Sequence, residues 1–287
     1  MEKLRCGCVI LNYNDSETVV QLLSEICSYS LIEKIVIVDN HSTDHSAEIL
    51  RGYVSQNVEL LSTDRNGGYG YGNNFGVKYL HETYGLKYVL IVNPDVHFTE
   101  ATLQRCLHEL SLRSDGAVIS PVQLDASGKM IDLYAWQLKS PLQELLQNEY
   151  FFRHSFGKRK KQPLCNGVFA VNCIPGSFLL IDAARFLEVG GYNERMFLYY
   201  EENTLGIRLK KRGYATYLVA DCQYVHEHSV SIDKSHPNMV AKRRIQYQSL
   251  LEYLRTDCGV GKIMLLFATL FLKICLFEEK IIQWCKK

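Results

Sequence analysis

Ten cysteines are scattered over 287 residues, yet none forms a C-x-x-C pair and none is matched by histidines at zinc-binding spacing. A structural zinc site is therefore not expected. Unpatterned thiols also fit a reducing cytoplasm better than a disulfide framework, and Cys6 and Cys8, inside an apolar run, read as core filling. An excess of one charge is lacking too: acids and bases nearly cancel, at net +1. Without a basic stripe interleaved with aromatics, nucleic acid is not an expected partner. No G-x-x-x-x-G-K-[ST] occurs, which excludes a P-loop. The opening "MEKLRCGCVILNYN" carries too short an apolar run for a signal peptide. Internal repeats and low-complexity linkers are missing as well.

What is present is a hydrophobic fraction of 47%, enough to fill the core of one large domain or two joined halves. Over the first 120 residues strands and helices alternate. "CGCVILN", "KIVIVDN", "NVELLS", "KYVLIVN" and "GAVIS" read as strands, with helical stretches between them over 16–28, over 42–53, from the glycine-rich turn to about Tyr84, and over 99–112. That rhythm predicts an α/β fold with a mostly parallel sheet covered on both faces. From Pro121 to about residue 175 the pattern is irregular. "GSFLLID" resumes as a strand, and a short helix runs to Gly190 and Gly191. "EENTLGIRLKKRG" reads as a helix with acids first, bases last and Gly213 just past its end. "YATYLVA" and "CQYVHE" read as two strands, and the chain is helical beyond about residue 236.

Four loops follow the first four strands. They carry Asn12-Tyr13-Asn14, Asp39-Asn40, Asp64-Arg65-Asn66 and Asn93-Pro94-Asp95. Each alone is an ordinary polar loop. Together they line one sheet edge with amides, acids and aromatics suited to a base and ribose. The glycine run "NGGYGYGNNFG" (66–76) is not a dinucleotide fingerprint, because it follows the third strand rather than the first. Its glycines serve either tight helix–sheet packing or ligand contact. Glu201 and Glu202 open a predicted helix, either as ordinary N-terminal acids or as a general base facing the same cleft. His226, in "QYVHEHSVS", is either a packed histidine or, with an Asp and phosphate oxygens, a ligand of Mg²⁺ or Mn²⁺.

Seven segments, "VILNYND", "IVIVDNHSTDHS", "DRNGGYGYGNN", "LIVNPDV", "PGSFLLI", "VGGYNERMFLYYEEN" and "VHEHSVS", stand in one order across residues 8–231. In that order the chain resembles the family 2 glycosyltransferases of the GT-A fold, in their rhamnosyltransferase-like branch. The resemblance implies inverting transfer of a hexose from a UDP- or dTDP-sugar, such as dTDP-rhamnose, to a hydroxyl of a glycan or lipid-linked acceptor in surface polysaccharide synthesis. It implies that Asp39 reads the pyrimidine, with Asn12, Tyr13, Asn14, Arg65, Asn66 and Gly67 around the nucleotide. It implies that Asn93-Pro94-Asp95 stands for the family's D-x-D, with Asp95 and His226 on a Mg²⁺ or Mn²⁺ ion. Glu202 falls at the catalytic base, and Gly176 and residues 190–194 wall the acceptor side. Residues 1–236 then form the transferase domain, a nucleotide-sugar half to about 120 and an acceptor half after it, followed by a helical segment over 237–287.

This sequence departs from that pattern at three positions: Asn93 replaces the first acid of D-x-D, Glu202 is one methylene longer than the usual Asp, and Thr204 replaces a further acid. An Arg expected near residue 248 is also missing, which leaves Arg243 or Arg244 for a pyrophosphate contact. Two other classes stay open: a nucleotide-sugar-binding relic without turnover, and a nucleotidyltransferase, against which the missing glycine-rich triphosphate loop counts.

The tail is the most apolar part. "IMLLFATLFLKICLF" (263–277) spans about 22 Å as a helix, short of a hydrocarbon core of roughly 30 Å. Lys262, Lys273, Lys280 and Lys287 fall on one helical azimuth. That pattern predicts a helix lying in a membrane interface, peripheral at the inner face of the cell membrane; a core or dimer helix is the alternative. "KRKK" (158–161) is either a solvated loop or a contact for anionic lipid or an acceptor pyrophosphate.

Overall fold

The computed structural model describes residues 4–149, 166–227 and 239–285. "KRKK", Lys287 and residues 228–231 of the last shared segment lie outside them. In chain order the elements are β1 (Cys6–Asn12), α1 (Ser16–Ile26), β2 (Ile32–Asp39), α2 (Ser46–Arg51), β3 (Val58–Ser62), α3 (Tyr69–Tyr84), β4 (Tyr88–Val92) and β5 (Val96–His97). Next come α4 (Glu100–Ser111), β6 (Gly116–Leu124), α5 (Pro141–Leu146), β7 (Val168–Val171), β8 (Phe178–Asp182) and α6 (Ala183–Glu188). The chain closes with α7 (Glu201–Lys211), β9 (Ala215–His226), α8 (Met239–Thr256) and α9 (Lys262–Cys285).

One sheet runs β3-β2-β1-β4-β8-β6-β9-β5, with β7 added beside β9. β1, β2, β3 and β4 pair in parallel, as the alternating sequence predicts. β8 enters antiparallel between β4 and β6, and the long β6–β9 ladder is again parallel. The sheet is thus continuous through both halves of the chain. Cys6 and Cys8 are fully buried, in the core where sequence puts them. On one face α1 and α4 bury Leu22, Ile26, Leu103 and Leu107; on the other α3, α6 and α7 bury Val77, Leu80, Phe186 and Leu205. This is the α/β/α layering expected when both sheet faces are apolar.

Helix ends follow local chemistry. Thr99 caps α4 through Thr102 N–H, and Ser140 with Gln143 forms a capping box on α5. Gly85 ends α3 in the left-handed region, φ +63°. The glycines of the 66–76 loop are accounted for by packing. A Cβ on Gly76 would meet Val9 Cγ1 at 2.6 Å and Val38 Cγ2 at 3.0 Å, two short β-branched side chains of β1 and β2, so a larger residue there would have to push the helix or the strands apart.

Two expectations are corrected. "YATYLVA" and "CQYVHE" are not separate strands but one, β9. Its register against β6 jumps from Val219 to Gln223 while β6 advances one residue, so Ala220-Asp221-Cys222 bulge out and the strand continues. Residues 121–175 are also less irregular than their sequence reads, since β6 extends to Leu124 and α5 and β7 follow.

Candidate active site

The carboxyl ends of β1 and β2 are in register, with Asn12 opposite Asp39. Both are buried, and Asn12 Nδ2 donates to Asp39 Oδ1 at 2.8 Å and to Ser42 Oγ at 3.1 Å. Ser42 returns its hydroxyl to Asp39 Oδ1 at 2.5 Å and its N–H to Oδ2 at 3.1 Å. Asn14, in the left-handed region at φ +54°, accepts from Thr43 N–H at 2.8 Å. Asn40 Nδ2 donates to Asn66 Oδ1 at 3.0 Å, and the same oxygen accepts Gly68 N–H at 3.1 Å. The loops after β1, β2 and β3 are therefore tied into one polar rim, with Tyr13 half-buried beside it. Gly67 is pressed against Tyr71, 2.4 Å from where a Cβ would sit. Arg65 stands outward, its guanidinium 4.5 Å over the Tyr71 ring and 3.2 Å from Asp64 Oδ2.

After β4 the chain turns through Asn93-Pro94-Asp95. The two-residue β5 then crosses to the far edge of the sheet and pairs with the end of β9, Val96 opposite His226. That pairing brings Asp95 Oδ1 to 3.0 Å from His226 Nε2. Gln123 Nε2 lies 3.1 Å from His226 Nδ1, while Gln123 Oε1 accepts from Tyr224 OH. With the amide nitrogen so oriented, Nδ1 is the acceptor and the ring proton sits on Nε2, toward Asp95; as a metal ligand Nε2 would have to be unprotonated, with the proton moved to Nδ1 and the Gln123 amide turned to present its oxygen. Two ligands at about 2.1 Å from an octahedral ion stand about 3.0 Å apart on adjacent vertices. The 3.0 Å spacing is that of the hydrogen bond now joining the pair, and with that proton removed the same O,N donor set would also suit adjacent vertices of a Mg²⁺- or Mn²⁺-sized ion. Among the described residues no group of three or more His, Cys, Asp or Glu is poised to hold a metal, so other ligands would have to come from substrate and water.

A cavity of about 450 Å³ is lined by Asn93, Gly176, Glu202 and His226 among others, and the start of α7 forms part of its wall. Tyr199 and Tyr200 precede it with φ +74° and +69°, two successive non-glycine residues in the left-handed region. Glu202 Oε1 accepts the Gly176 N–H at 3.1 Å, and Gly176 O accepts Tyr69 OH at 2.8 Å. Burial raises the Glu202 carboxyl above its ordinary value, opposed by N–H donors from its own backbone and Gly176. Burial, and then repulsion from Glu202, push Glu201 up to about 8. Glu201 Oε1 is buried and has no hydrogen-bond partner among the described residues. At neutral pH the pair therefore splits into a largely protonated Glu201 and a better-solvated, N–H-supported Glu202, which is the better proton acceptor.

A nucleotide-like rim, an Asp/His pair and a raised carboxylate share one sheet edge, and residues 8–174 match the family model described as Glycosyl transferase family 2. The chain belongs to glycosyltransferase family 2. It is 25% identical over 228 residues to the low-salt glycan biosynthesis hexosyltransferase Agl10 of Haloferax volcanii, covering 79% of this chain and 68% of that protein. It is 28% identical over 213 residues to the N-acetylglucosaminyl-diphospho-decaprenol L-rhamnosyltransferase of Mycobacterium tuberculosis, covering 69% and 68%. In fold it resembles GalNAc-T7, whose structure holds UDP, GalNAc and Mn²⁺, with TM-score 0.64 at 14% identity over 88% of this chain and 48% of that one. The architecture of this glycosyltransferase is of the GT-A kind.

Several residues of the site lie beyond what the sequence signalled. Gln123 sits past the expected end of β6, although a glutamine in an apolar strand is itself a hint of a buried partner. Ser42 and Tyr69 lie inside recognised segments, but only the fold shows what they hold. Arg243 Nε faces Glu279 of α9 at 3.5 Å, and its Nη1 donates to Gln246, a residue that lines the cavity. The neighbouring Arg244 is exposed.

α9 is longer than the apolar run, and its two sides differ. Ala268, Leu272 and Cys275 are buried in a third core with Leu145, Leu250 and Tyr253. Ile263, Leu266, Leu270, Ile274, Phe277 and Trp284 are exposed on the other side, between 53% and 88%. Lys262, Lys273 and Lys280 are exposed along one border of that apolar strip. No helix among the described residues is long and apolar enough to cross a membrane.

Proposed function

We propose that this chain is a metal-dependent inverting glycosyltransferase that moves a sugar from a UDP- or dTDP-sugar, possible donors including dTDP-rhamnose, to a hydroxyl of a glycan or lipid-linked acceptor. The observation that carries the reading is that His226, paired to Asp95, and Glu202 line the same cavity from two different elements, β9 and α7. Asp39, with Asn12 and Asn14, takes the pyrimidine and ribose, and Arg65, Asn66, Gly67 and Asn93 border the donor. Asp95 and His226 would hold Mg²⁺ or Mn²⁺, which when bound would supply positive charge to offset that of the departing diphosphate. Glu202 takes the proton from the acceptor hydroxyl as its oxygen bonds to the anomeric carbon. The bond from that carbon to the diphosphate breaks on the far side, and the diphosphate leaves with the electron pair, which inverts the configuration.

The names of the relatives, a hexosyltransferase of glycan synthesis and a rhamnosyltransferase on a decaprenol-linked sugar, support a lipid-linked acceptor in surface polysaccharide synthesis. The outer strip of α9 supports peripheral contact with an anionic membrane surface, its apolar side chains entering the interface and its lysine row meeting headgroups. A thermal-shift panel of UDP-, dTDP- and GDP-sugars with Mn²⁺ tests the donor: stabilisation is expected from a UDP- or dTDP-sugar. If only a GDP-sugar stabilises the chain, the pyrimidine assignment is wrong. Release of nucleoside diphosphate from the stabilising donor separates an enzyme from a relic, which would bind without turnover.

A further inference from the structure

We propose that Trp136 is the stacking platform for the acceptor's pyranose ring, and so a specificity-determining residue; this rests on the transferase reading above. Trp136 lines the same cavity as Glu202. Its backbone is fixed by a reciprocal bridge, N–H to Cys173 O at 2.9 Å and Cys173 N–H to its own O at 3.0 Å. The indole N–H is committed to Asn203 Oδ1 at 3.1 Å. With that one polar atom satisfied, the remaining surface of the ring is an apolar face, and Leu133 extends the apolar wall beside it.

The tie to Asn203 carries the assignment to the acceptor rather than the donor. Asn203 follows Glu202 directly on the first turn of α7. Its amide nitrogen donates to Glu144 Oε1 at 3.3 Å, and both residues are buried. A chain from the half-buried Trp136 to the buried Asn203 and Glu144 gains little as core packing, because apolar residues would fill that space without desolvating a carboxylate. What it does is hold an aromatic plane at a set position relative to the proton-accepting carboxylate. A pyranose is apolar on its C–H faces and polar around its rim. Laid against a fixed indole, it presents its rim hydroxyls to groups at a set height above the ring, and here the carboxylate of Glu202 is among them. The donor diphosphate is assigned to Asp95 and His226, of which His226 lines this cavity from the end of β9, a different element from those that carry Trp136 and Asn203.

The chain has two tryptophans, Trp136 and Trp284. Trp284 is 78% exposed, so Trp284→Phe leaves Trp136 as the sole indole reporter in a folded full-length chain. Methyl pyranosides of glucose, galactose, mannose, N-acetylglucosamine and rhamnose are titrated in the presence of UDP or dTDP. At least one is expected to quench or blue-shift Trp136 emission saturably. With the stabilising donor, that same pyranoside is expected to act as an acceptor. In the chain that retains Trp284, Trp136→Leu should raise the KM for that pyranoside about tenfold while Trp136→Phe, which keeps a ring face, raises it less. Donor KM and acceptor-free donor hydrolysis should stay unchanged in both. Emission that none of these pyranosides moves, or Phe and Leu variants that raise acceptor and donor KM alike, overturns the proposal. The fluorescence arm needs no turnover: an emission shift without nucleotide-sugar stabilisation would count against the transferase reading and not against the platform.

Discussion

Exchanging Glu202 for Gln is the sharpest perturbation of the chemistry, because it changes so little else. The amide oxygen of Gln can still accept the Gly176 N–H that Glu202 Oε1 accepts at 3.1 Å. The start of α7 and the cavity wall should therefore stay in place, and donor KM should remain within a few-fold. What is lost is the proton acceptor. General-base catalysis contributes roughly 10²–10⁴ in rate, or about 2.7–5.5 kcal/mol of activation free energy. Turnover in Glu202→Gln should fall by that factor. Glu201→Gln is the matched control: burial holds Glu201 protonated up to about 8, so at neutral pH the exchange mainly replaces one neutral group by another. Its cost should be a few-fold. The assay is single-turnover release of nucleoside diphosphate, with product quantified, from acid to mildly alkaline pH. In the parent, kcat/KM should fall on the acid side as Glu202 takes up a proton, beginning above the ordinary 4.5 because burial raises this group. The acid limb should be missing from Glu202→Gln. A larger loss in Glu201→Gln than in Glu202→Gln would refute the assignment and move the base by one residue.

The metal pair is tested by Asp95→Ala, expected to abolish most Mn²⁺-dependent donor stabilisation without unfolding the chain, and by His226→Ala, expected to do so less completely; parental Mn²⁺ dependence in both variants would sink that site. Stability should also depend on Glu201. Its folded-state carboxyl is raised from 4.5 to about 8, so its stabilising contribution is complete below 4.5 and lost as pH rises toward 8. Paired thermal melts should show Glu201→Gln gaining on the parent across that window, and a constant gap would contradict it. For the membrane strip, Leu270→Glu with Ile274→Glu alters residues that are 53% and 59% exposed. Flotation with anionic vesicles should fall several-fold while the melting temperature and donor stabilisation hold. Equal flotation of parent and variant would leave α9 with a structural role only. Truncating before α9 is a poorer test, because it strips cover from Leu250 and Tyr253.

The fold was legible where one periodicity ruled. Strands β1, β2 and β4 are short apolar runs closed by Asn or Asp, and their parallel order follows from the helices between them. The unity of β9 was hidden because Asp221, which lies in the bulge of the ladder, read as a break between two strands. β5 has two residues, too few for any pattern. The residues of the rim were readable as a set of loop tips, since strand ends in a parallel sheet must share an edge. Their mutual contacts were not: Gly176 reaches Glu202 only through β8 and the turn at Tyr199-Tyr200, and tyrosine gives no local signal for the left-handed region. In α9 the apolar run is nearly continuous around the helix, so sequence could not say which residues pack inward and which face out.

Asp95 and His226 meet across 131 positions of chain, and the strand pair that joins them is two residues long. Such a contact closes late, after β8 and β9 have found their neighbours, because loop closure over that separation brings little local gain with it. The pair is thus a latch between the turn after β4 and the end of β9, the last strand in the chain, and any ion or diphosphate bridging it would draw its binding energy into the stability of the whole domain. Hydrogen exchange should then show donor-dependent protection spreading to β8 and β9, far from the nucleotide rim. A fragment ending near residue 120 could keep Asn12 and Asp39 together yet would lack His226, the half of the latch that a metal-bound donor needs.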